Sequence, residues 1–465
     1  MRRKQFLAFL FVMVLTICTV LSPFSVSAYT PDKQTQASIT SKAAIVVYLD
    51  SGASAEKGTT GRDIIIYEQD KDRQLSPAAM MRVAVGLYAR KLIEEKKIDM
   101  NTATGMYTEA LQDKYVWGTG LSLANMNIGE KWTIKDLMSL SMIQTAADAC
   151  VTLTATLAGS VDSFLLGMNE YVKSIGCKNT TFSNVTGLDD IKQKTTPYDM
   201  YIIMRYALDD PILSKMLGAL ETTIKPVSGG EVRSWENTNY MLRASSDYYY
   251  DPLQLGKTGV SEDSGKALAS MASLDGYRYI TVVMGCPEED KDGDAGTHYE
   301  TTRALLNWVF NKFEYVNMVA ESQPMTRQEI RLAWSMDSIT LVAENPLSCL
   351  VPQGLDTKTV RTEITLNQED LKAPIKKGEV LGKATLFIRE NEKIGEVNLV
   401  AEESVKRSTL LFVLDLCRRV ITSPWLWVTI VLLVVLIGAY IVLSIRYNRK
   451  RKRNARAKKK YKSLK

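Results

Sequence analysis

The fold is decided by three segments that follow one another closely: Leu255-Gly-Lys-Thr-Gly259, Gly265-Lys-Ala-Leu-Ala-Ser-Met-Ala272 and Tyr277-Arg-Tyr-Ile-Thr-Val-Val-Met284. Asp275-Gly276 lies between the last two segments, and this dipeptide between two apolar runs favours a tight hairpin turn. We therefore predict that the last two segments form a β-hairpin and that the first segment is the strand before it.

The same sheet is expected to include strands from the N-terminal side. Ile45–Tyr48 and Asp63–Tyr67 are predicted as two strands joined by a glycine-containing loop. After Pro77, which suits the first turn of a helix, apolar residues recur with helical spacing, and Lys135–Leu157 is a second helical stretch. Strands at both ends with helices between them predict an α/β domain whose sheet is completed late in the chain.

From about Val316 the chain changes to short alternating segments, most of them bounded by Gly, Pro or Asn. This pattern predicts a small all-β sandwich domain. The segments are Ile339–Ala343, Val360–Leu366, Ala384–Ile388 and Gly395–Val400. Leu410–Ile421 follows as a short amphipathic helix.

Both ends of the chain carry targeting signals. Residues 1–28 run from a basic start through an apolar stretch to Val26-x-Ala28, which is the pattern of a secretory signal peptide. Residues 425–445 contain no charge and are long enough to cross a bilayer as one helix. Trp425 and Trp427 suit one membrane interface, and the basic residues from Arg446 onward suit the cytoplasmic side.

The sequence thus predicts a single-pass protein of a bacterial cell membrane, with its main domains outside the cell and its tail inside. The predicted divisions are a signal peptide (1–28), the α/β domain (29–314), the β domain (315–405), a juxtamembrane amphipathic segment (406–424), a transmembrane helix (425–445) and a basic cytoplasmic tail (446–465).

The charge distribution argues against a nucleic-acid partner. The formal net charge is +6, but residues 446–465 hold twelve Lys and Arg and no acidic residue, and residues 2–4 add three more positive charges. The stretch between therefore carries −9, so the folded part is acidic. The basic tail is interpreted as a signal that fixes membrane orientation.

Residue counts restrict the chemistry. His298 is the only histidine, so a Ser-His-Asp site would depend on that residue and a His-rich zinc site cannot be built. We predict neither a metal nor a cofactor, and the acidic run Glu288–Asp294 is expected to be a solvated turn because its spacing does not follow an EF-hand loop. The five cysteines beyond the signal peptide are widely spaced, which is typical of buried thiols and not of a disulfide framework.

Four motifs occur in an order typical of one enzyme family. They are Asn184-Val-Thr-Gly-Leu-Asp-Asp190 followed by Thr196-Pro-Tyr-Asp-Met-Tyr201, Trp235-Glu-Asn-Thr-Asn239, Leu255-Gly-Lys-Thr-Gly259, and Leu371-Lys-Ala-Pro-Ile-Lys-Lys-Gly378 in the β domain. With these motifs the chain resembles the low-molecular-mass penicillin-binding proteins, the serine D-alanyl-D-alanine carboxypeptidases of cell-wall synthesis. The resemblance implies a penicillin-binding-protein or β-lactamase-like transpeptidase domain, an antiparallel sheet flanked by helices.

The family's nucleophile motif, Ser-x-x-Lys, is altered here. Its counterpart is Pro77-Ala-Ala-Met-Met-Arg82, so the serine position holds Ala79 and the lysine position holds Arg82. A methyl group cannot be acylated, and a guanidinium with a pKa above about 12 cannot act as a base near neutral pH. The sequence therefore predicts that acylation at this position is lost.

Of the two other family motifs, the second is partly altered and the third is intact. Ser-x-Asn corresponds to Thr145-Ala146-Ala147, which keeps a hydroxyl and loses the carboxamide. Lys257-Thr258-Gly259 is intact. By resemblance, Lys257 and Thr258 would bind the terminal carboxylate of a D-Ala-D-Ala peptide with Thr145 nearby, and the edge of the strand at Gly259 would pair with the peptide backbone.

Three other hydroxyl residues are possible replacement nucleophiles. Ser54 and Lys57 have the spacing of the family motif but lie in a glycine-rich loop, and Ser76 has Ala79 where its lysine should be. Thr145 acting with Lys257 is a further alternative, whereas His298 is interpreted as structural or exposed.

The expected function is that of a membrane-anchored pseudoenzyme of peptidoglycan metabolism that binds or senses stem peptides. Two alternatives stay open: an active serine-type D-Ala-D-Ala carboxypeptidase with a relocated nucleophile, and a structural scaffold for cell-wall enzymes. The sequence does not identify a protein partner.

Overall fold

The structure is a computed structural model and describes residues 36, 38–49, 63–108, 119–289, 293, 295–368, 370–388 and 392–462. The predicted signal peptide and the loop with Ser54 and Lys57 lie outside these residues. The chain divides into two compact units, one formed by residues up to 314 with 352–354, the other by residues 315–351 with those from 355 onward.

The first unit is built on a five-stranded antiparallel sheet. Its strand order is β2-β1-β9-β8-β7, where the strands are β1 (Ala43–Tyr48), β2 (Ile64–Gln69), β7 (Leu253–Ser261), β8 (Gly265–Leu274) and β9 (Tyr277–Cys286). The predicted hairpin is confirmed as β8 and β9, and the strand before it as β7. The sheet is completed late, as predicted, because β1 pairs with β9 from Ala43 opposite Met284 to Tyr48 opposite Tyr279.

Seven helices accompany this sheet among the described residues. They are α1 (Arg82–Glu95), α2 (Ile134–Ser139), α3 (Ala147–Ala158), α4 (Val161–Ser174), α5 (Pro197–Asp209), α6 (Pro211–Leu217) and α7 (Thr297–Lys312). Helix α5 packs against β1 and β9, and α7 packs against β8 and β9. Two short strand pairs complete the unit: β3 (Ala103–Gly105) with β4 (Lys131–Thr133), and β5 (Glu221–Ile224) with β6 (Arg233–Glu236).

The helix predicted after Pro77 is confirmed. One 3-10 turn, Ala78–Met81, leads into α1, and the helically spaced apolar side chains are buried in the core of the unit. These side chains are Val83, Leu87, Leu92 and Ile93.

The helical stretch predicted over Lys135–Leu157 is confirmed at both ends, but the prediction is wrong for its central part, where the helix is interrupted. Helix α2 ends at Ser139, a turn of π-helix covers Leu140–Gln144, and Thr145 then takes a left-handed backbone with φ +62° before α3 begins. The apolar pattern continues on both sides of the break, which contains neither Gly nor Pro. Hydrophobic periodicity therefore gives no sign of it.

The second unit confirms the predicted all-β domain. Its strands are β10 (Phe313–Val319), β11 (Pro324–Arg331), β12 (Ser338–Ala343), β13 (Leu347–Pro352), β14 (Arg361–Leu366), β15 (Leu371–Lys372), β16 (Val380–Ile388) and β17 (Glu392–Ala401). Six of them form one sheet in the order β14-β16-β17-β12-β11-β15, and β10 pairs with β13. Alternate residues of these strands form one apolar core that includes Ile339, Leu341, Leu386 and Leu399.

Two helices end the described chain. Helix α8 (Thr409–Thr422) confirms the predicted amphipathic helix, and α9 (Pro424–Lys462) follows after one residue. Within α9, Pro424–Arg451 is long and apolar enough to cross a membrane, with a mean hydropathy of 2.9 over its most apolar part. The C-terminal helix is thus a candidate membrane span.

Candidate functional site

Three segments meet at the start of α1: the turn that carries Ala79, strand β7 at Gly259, and the 184–190 loop. A Cβ atom added to Gly259 of β7 would lie 2.7 Å from the Pro77 carbonyl oxygen and 3.0 Å from the Met80 nitrogen. A Cβ atom on Gly187, whose φ is +85°, would lie 2.7 Å from the Cα of Ala79. Both close approaches require glycine, and they bring β7 and the 184–190 loop against the turn that carries Ala79.

Ala79, which the sequence analysis assigns to the position of the nucleophile, offers only a methyl group. Ala79 lies in the 3-10 turn before α1 and is partly exposed, whereas its neighbours Ala78 and Met80 are buried. Ala78 has a φ of +45°, an uncommon backbone for a residue with a side chain. The turn is therefore tightly shaped but presents no group that can attack a carbonyl carbon.

Arg82, which the sequence analysis assigns to the family's lysine position, is fully buried and acts as a hydrogen-bond donor. Its Nε and Nη2 donate to the Thr186 carbonyl oxygen at 3.2 and 2.9 Å, and its Nη1 donates to the Ala146 carbonyl oxygen at 3.0 Å and to Ser141 Oγ at 3.2 Å. The guanidinium thus connects α1 with the segment of Thr145 and with the 184–190 loop.

Lys257 is 1% exposed and faces three oxygen atoms. Its Nζ donates to Thr145 Oγ1 at 2.6 Å, to Thr238 Oγ1 at 3.3 Å and to the Thr258 carbonyl oxygen at 3.3 Å. Burial, with a further contribution from the positive charge of Arg82, lowers the pKa of Lys257 from 10.5 to about 7. The neutral amine of Lys257 is therefore more accessible near neutral pH than that of an ordinary lysine.

Three threonine hydroxyls continue from Lys257 toward the cleft. Thr145 Oγ1 lies 3.0 Å from Thr238 Oγ1, which lies 3.2 Å from Thr258 Oγ1. The left-handed backbone of Thr145 is strained for a β-branched residue, and such strain is common at functional sites. Thr238 is not among the predicted site residues, although it belongs to the Trp235–Asn239 motif.

An open cleft of 620 Å³ adjoins two of these threonines, Thr238 and Thr258. Its wall includes Thr238 and Thr258, the side chains of Val260 and Lys266, and the aromatic rings of Tyr240 and Tyr299. The open cleft therefore contacts two of the three threonines in this hydrogen-bonded chain.

The other candidate residues of the sequence analysis that the structure describes are all buried, and none of them is a hydroxyl beside an amine. Ser76 is 2% exposed and donates to Asp189 Oδ1 at 2.5 Å, so its hydroxyl faces a carboxylate and not an amine. Ala147 is buried in the first turn of α3. His298 is 5% exposed, lies in the wall of the open cleft, and has its ring centroid 3.8 Å from that of Tyr299.

The cysteines and the possible metal-ligating side chains do not take part in the hydrogen bonds around Lys257 that are described above. Four cysteines are buried free thiols, Cys150, Cys177, Cys286 and Cys349, whereas Cys417 is exposed. Burial raises the pKa of the Cys150 thiol, although Arg82 opposes that shift. Within the described ranges no three His, Cys, Asp or Glu side chains gather as a metal site would need.

The geometry supports binding better than acyl transfer at position 79. Lys257 and three hydroxyls can donate hydrogen bonds to a carboxylate, whereas Ala79 and Arg82 supply neither a nucleophile nor a base. A hydroxyl does lie beside an amine with a lowered pKa, at Thr145 and Lys257.

Comparison with protein families finds two matches. Residues 30–288 match the peptidase S11 family, described as D-alanyl-D-alanine carboxypeptidase, and residues 313–407 match the penicillin-binding protein 5, C-terminal domain. Together they cover most of the chain before α8.

Similar proteins and structures agree with this. The chain is 25% identical over 368 residues to the D-alanyl-D-alanine carboxypeptidase DacF of Bacillus subtilis, covering 79% of this chain and 86% of that protein. It is 28% identical over 351 residues to DacC of Escherichia coli, covering 74% and 81%. Penicillin-binding protein 5 from Haemophilus influenzae shares the fold, with a TM-score of 0.60 and 23% identity over 82% of this chain and 100% of that one.

Proposed function

The chain belongs to the D-alanyl-D-alanine carboxypeptidase family, peptidase S11, and we propose that it is a non-acylating member which binds peptidoglycan stem peptides ending in D-Ala-D-Ala. It is a carboxypeptidase-like protein of the cell wall, and its proposed role is binding or sensing at the outer face of the membrane.

The proposed absence of acylation rests on one observation. The position from which a serine would attack holds the methyl group of Ala79, and the position of the base holds Arg82, whose guanidinium donates to two carbonyl oxygens and one hydroxyl. Arginine stays protonated at any physiological pH and cannot accept the proton of a nucleophile.

The binding role is supported by what remains in the cleft. Lys257, Thr258, Thr238 and Thr145 keep their donors together beside an open cleft, and Gly259 keeps β7 close to the Ala79 turn. A carboxylate accepts hydrogen bonds from ammonium and hydroxyl groups, so a C-terminal D-Ala carboxylate suits this set.

Labelled penicillin and a peptide titration test the proposal together. We expect no adduct that survives denaturation, and millimolar or tighter affinity for an N-acylated D-Ala-D-Ala peptide that weakens in a Lys257→Ala variant. A stable adduct would refute the loss of acylation. Equal, undetectable affinity of both proteins would favour the scaffold role instead.

A second candidate function is a carboxypeptidase with Thr145 as its nucleophile. It is favoured by the 2.6 Å contact of Thr145 Oγ1 with Lys257 Nζ and by the lowered pKa of that lysine. Lys257 would take the threonine proton as Oγ1 attacks the peptide carbonyl carbon, and the proton would then pass to the departing D-alanine amine; water would later hydrolyse the acyl-threonine.

Release of D-alanine from a pentapeptide separates the two candidates. The second candidate predicts release that disappears in a Thr145→Val variant, which keeps the shape of the side chain and lacks the hydroxyl. The non-acylating proposal predicts no release from either protein.

The membrane arrangement is also proposed. Helix α9 would cross the bilayer at 425–445 with the basic tail in the cytoplasm, since basic residues remain on the cytoplasmic side. Helix α8 would lie along the outer surface, because it presents Leu410, Leu414 and Ile421 to the outside while Asp415 on its other side contacts Arg331 of the β domain.

A further inference from the structure

The β domain presents one tryptophan to its surroundings. Trp334, in the loop between β11 and β12, is 74% exposed. Among the described residues of this domain, the next most exposed large apolar side chains are Val380 at 39% and Tyr315 at 38%. A single exposed apolar side chain is ordinary on a protein surface, so the inference depends on where this one lies.

The loop that contains Trp334 has a fixed backbone. The N–H group of Ile330 donates to the Asp337 carbonyl oxygen at 2.9 Å, which closes the base of the loop. The N–H group of Ser408 donates to the Leu332 carbonyl oxygen at 2.8 Å, which ties the loop to a segment more than seventy positions further along. The exposed indole is therefore held in place by backbone hydrogen bonds on both sides.

The same loop lies where α8 begins. Ser408 also caps the N-terminus of α8, and its side chain accepts a hydrogen bond from the Leu411 N–H group at 3.3 Å. Further along α8, Asp415 contacts Arg331, the last residue of β11, with an N–O distance of 3.6 Å. These contacts keep α8 beside the end of the domain that carries the loop.

Helix α8 leads directly into the candidate membrane span. Ser423 alone separates α8 from α9, and Leu410, Leu414 and Ile421 of α8 are exposed. A helix of 14 residues is about 21 Å long, so the loop at the start of α8 lies within one helix length of the start of the span. If α8 lies along the membrane, its first turn and the loop beside it are at the membrane surface.

The charges at this end of the β domain nearly cancel. The end is formed by residues 331–338, 370–380 and 402–408, where β11 and β17 end and β12 and β16 begin. These residues include six Lys and Arg and five Asp and Glu. Attraction to charged lipid is therefore weak here. An indole favours the headgroup region of any bilayer, because its ring is apolar and its N–H group can donate a hydrogen bond.

We propose that the β11–β12 loop is a lipid-contact site of the β domain, in which the indole of Trp334 lies among the headgroups at the outer surface of the membrane. The inference rests on the proposed membrane arrangement and adds to it a direct contact of the β domain. A single helix lying on a surface lets the attached domain tip about the helix axis, and a second point of contact prevents this. Trp334 would thus fix the orientation of the β domain on the bilayer.

A fluorescent probe next to Trp334 measures this contact in the full-length protein in phosphatidylcholine nanodiscs. An environment-sensitive dye is attached to Ser335→Cys, in the exposed part of the loop, in a Cys417→Ala background. The quencher is a lipid with a nitroxide just below its headgroup. Leu414→Cys reports on α8. Glu321→Cys is the aqueous reference, because it lies beyond the opposite end of β11, whose 8 residues span about 26 Å.

We expect quenching and blue-shifted emission at positions 335 and 414, and neither at position 321. Trp334→Ser should shift the emission at 335 toward that at 321 and remove the quenching. Trp334→Tyr should retain both, because tyrosine also combines an aromatic ring with a polar group. Both substitutions replace an exposed side chain, so the fold should be unaffected. High salt should leave the quenching at 335 unchanged, since the charges nearly cancel.

The outcomes separate this inference from the membrane arrangement. Quenching at 414 without quenching at 335 would overturn the loop contact and leave the arrangement standing. Unchanged quenching at 335 in Trp334→Ser would overturn the role of the indole. A blue shift at 335 without quenching by the lipid would assign the loop to a protein contact, such as a second copy of this chain, and overturn the lipid contact. Quenching at neither position would overturn both the loop contact and the proposed placement of α8.

Discussion

At the scale of single residues, the arginine at position 82, which the sequence analysis assigns to the family's lysine position, differs from a lysine in more than its basicity. The guanidinium makes four hydrogen bonds that hold the carbonyls of Ala146 and Thr186, so it has become part of the framework around the site. The planar donor fork of arginine suits several acceptors at once, which a lysine ammonium on a flexible stem does less well.

Restoring the nucleophile alone should therefore not restore acylation. We expect that Ala79→Ser stays unlabelled by penicillin, because Arg82 cannot accept the serine proton, and that Ala79→Ser with Arg82→Lys acylates at least about 100-fold faster, the usual minimum for base assistance. The measurement is the rate of covalent labelling, with Ala79→Ser as the matched control. Equal labelling of the two variants would show that a base other than residue 82 serves this site.

At the scale of elements, the packing of β7 against the turn before α1 is what gathers the motifs. A Cβ atom at Gly259 would meet the Pro77 carbonyl at 2.7 Å, and rigid backbone on both sides cannot move away cheaply. Because Gly259 has no side chain, β7, the strand that carries Lys257, can pack directly against the turn that carries Ala79.

Gly259→Ala should consequently destabilise the first unit by about 1–3 kcal/mol, the ordinary cost of overpacking. Gly105→Ala in β3 is the matched control, because nothing lies within 4 Å of the added Cβ atom there and its effect should stay within about 0.5 kcal/mol. Urea unfolding followed by tryptophan fluorescence measures both. A similar small change in the two variants would argue against close packing at Gly259.

The helices and strands that a local sequence pattern specifies by itself could be predicted from the sequence. The Asp275-Gly276 turn and the apolar runs on both sides give the hairpin, and helical spacing gives α1. The break at Thr145 was missed because tertiary contacts hold it, among them the bond from Arg82 to the Ala146 carbonyl. The role of Thr238 was missed for the same reason, since its hydroxyl meets Lys257 only after β7 has folded next to it.

At the scale of the whole molecule, the proposed arrangement places both folded units outside the cell and the basic tail inside. Labelling of engineered cysteines with a membrane-impermeant maleimide tests this in a Cys417→Ala background, because the other described cysteines are buried. Glu321→Cys, in an exposed turn of the β domain, should react in intact cells. Ser463→Cys should react only after the membrane is permeabilised, and its reaction in intact cells would reverse the proposed orientation.

The pairing of β1 with β9 has a consequence for how the protein is made. Strand β1 pairs with a strand more than two hundred positions further along, so the sheet cannot close until Tyr277–Cys286 has been synthesised and, in the proposed arrangement, exported across the membrane. Until then one side of the buried strand Ala43–Tyr48 is open to other chains. A polypeptide truncated before Tyr277 should therefore aggregate or be degraded after secretion, however well its helices form.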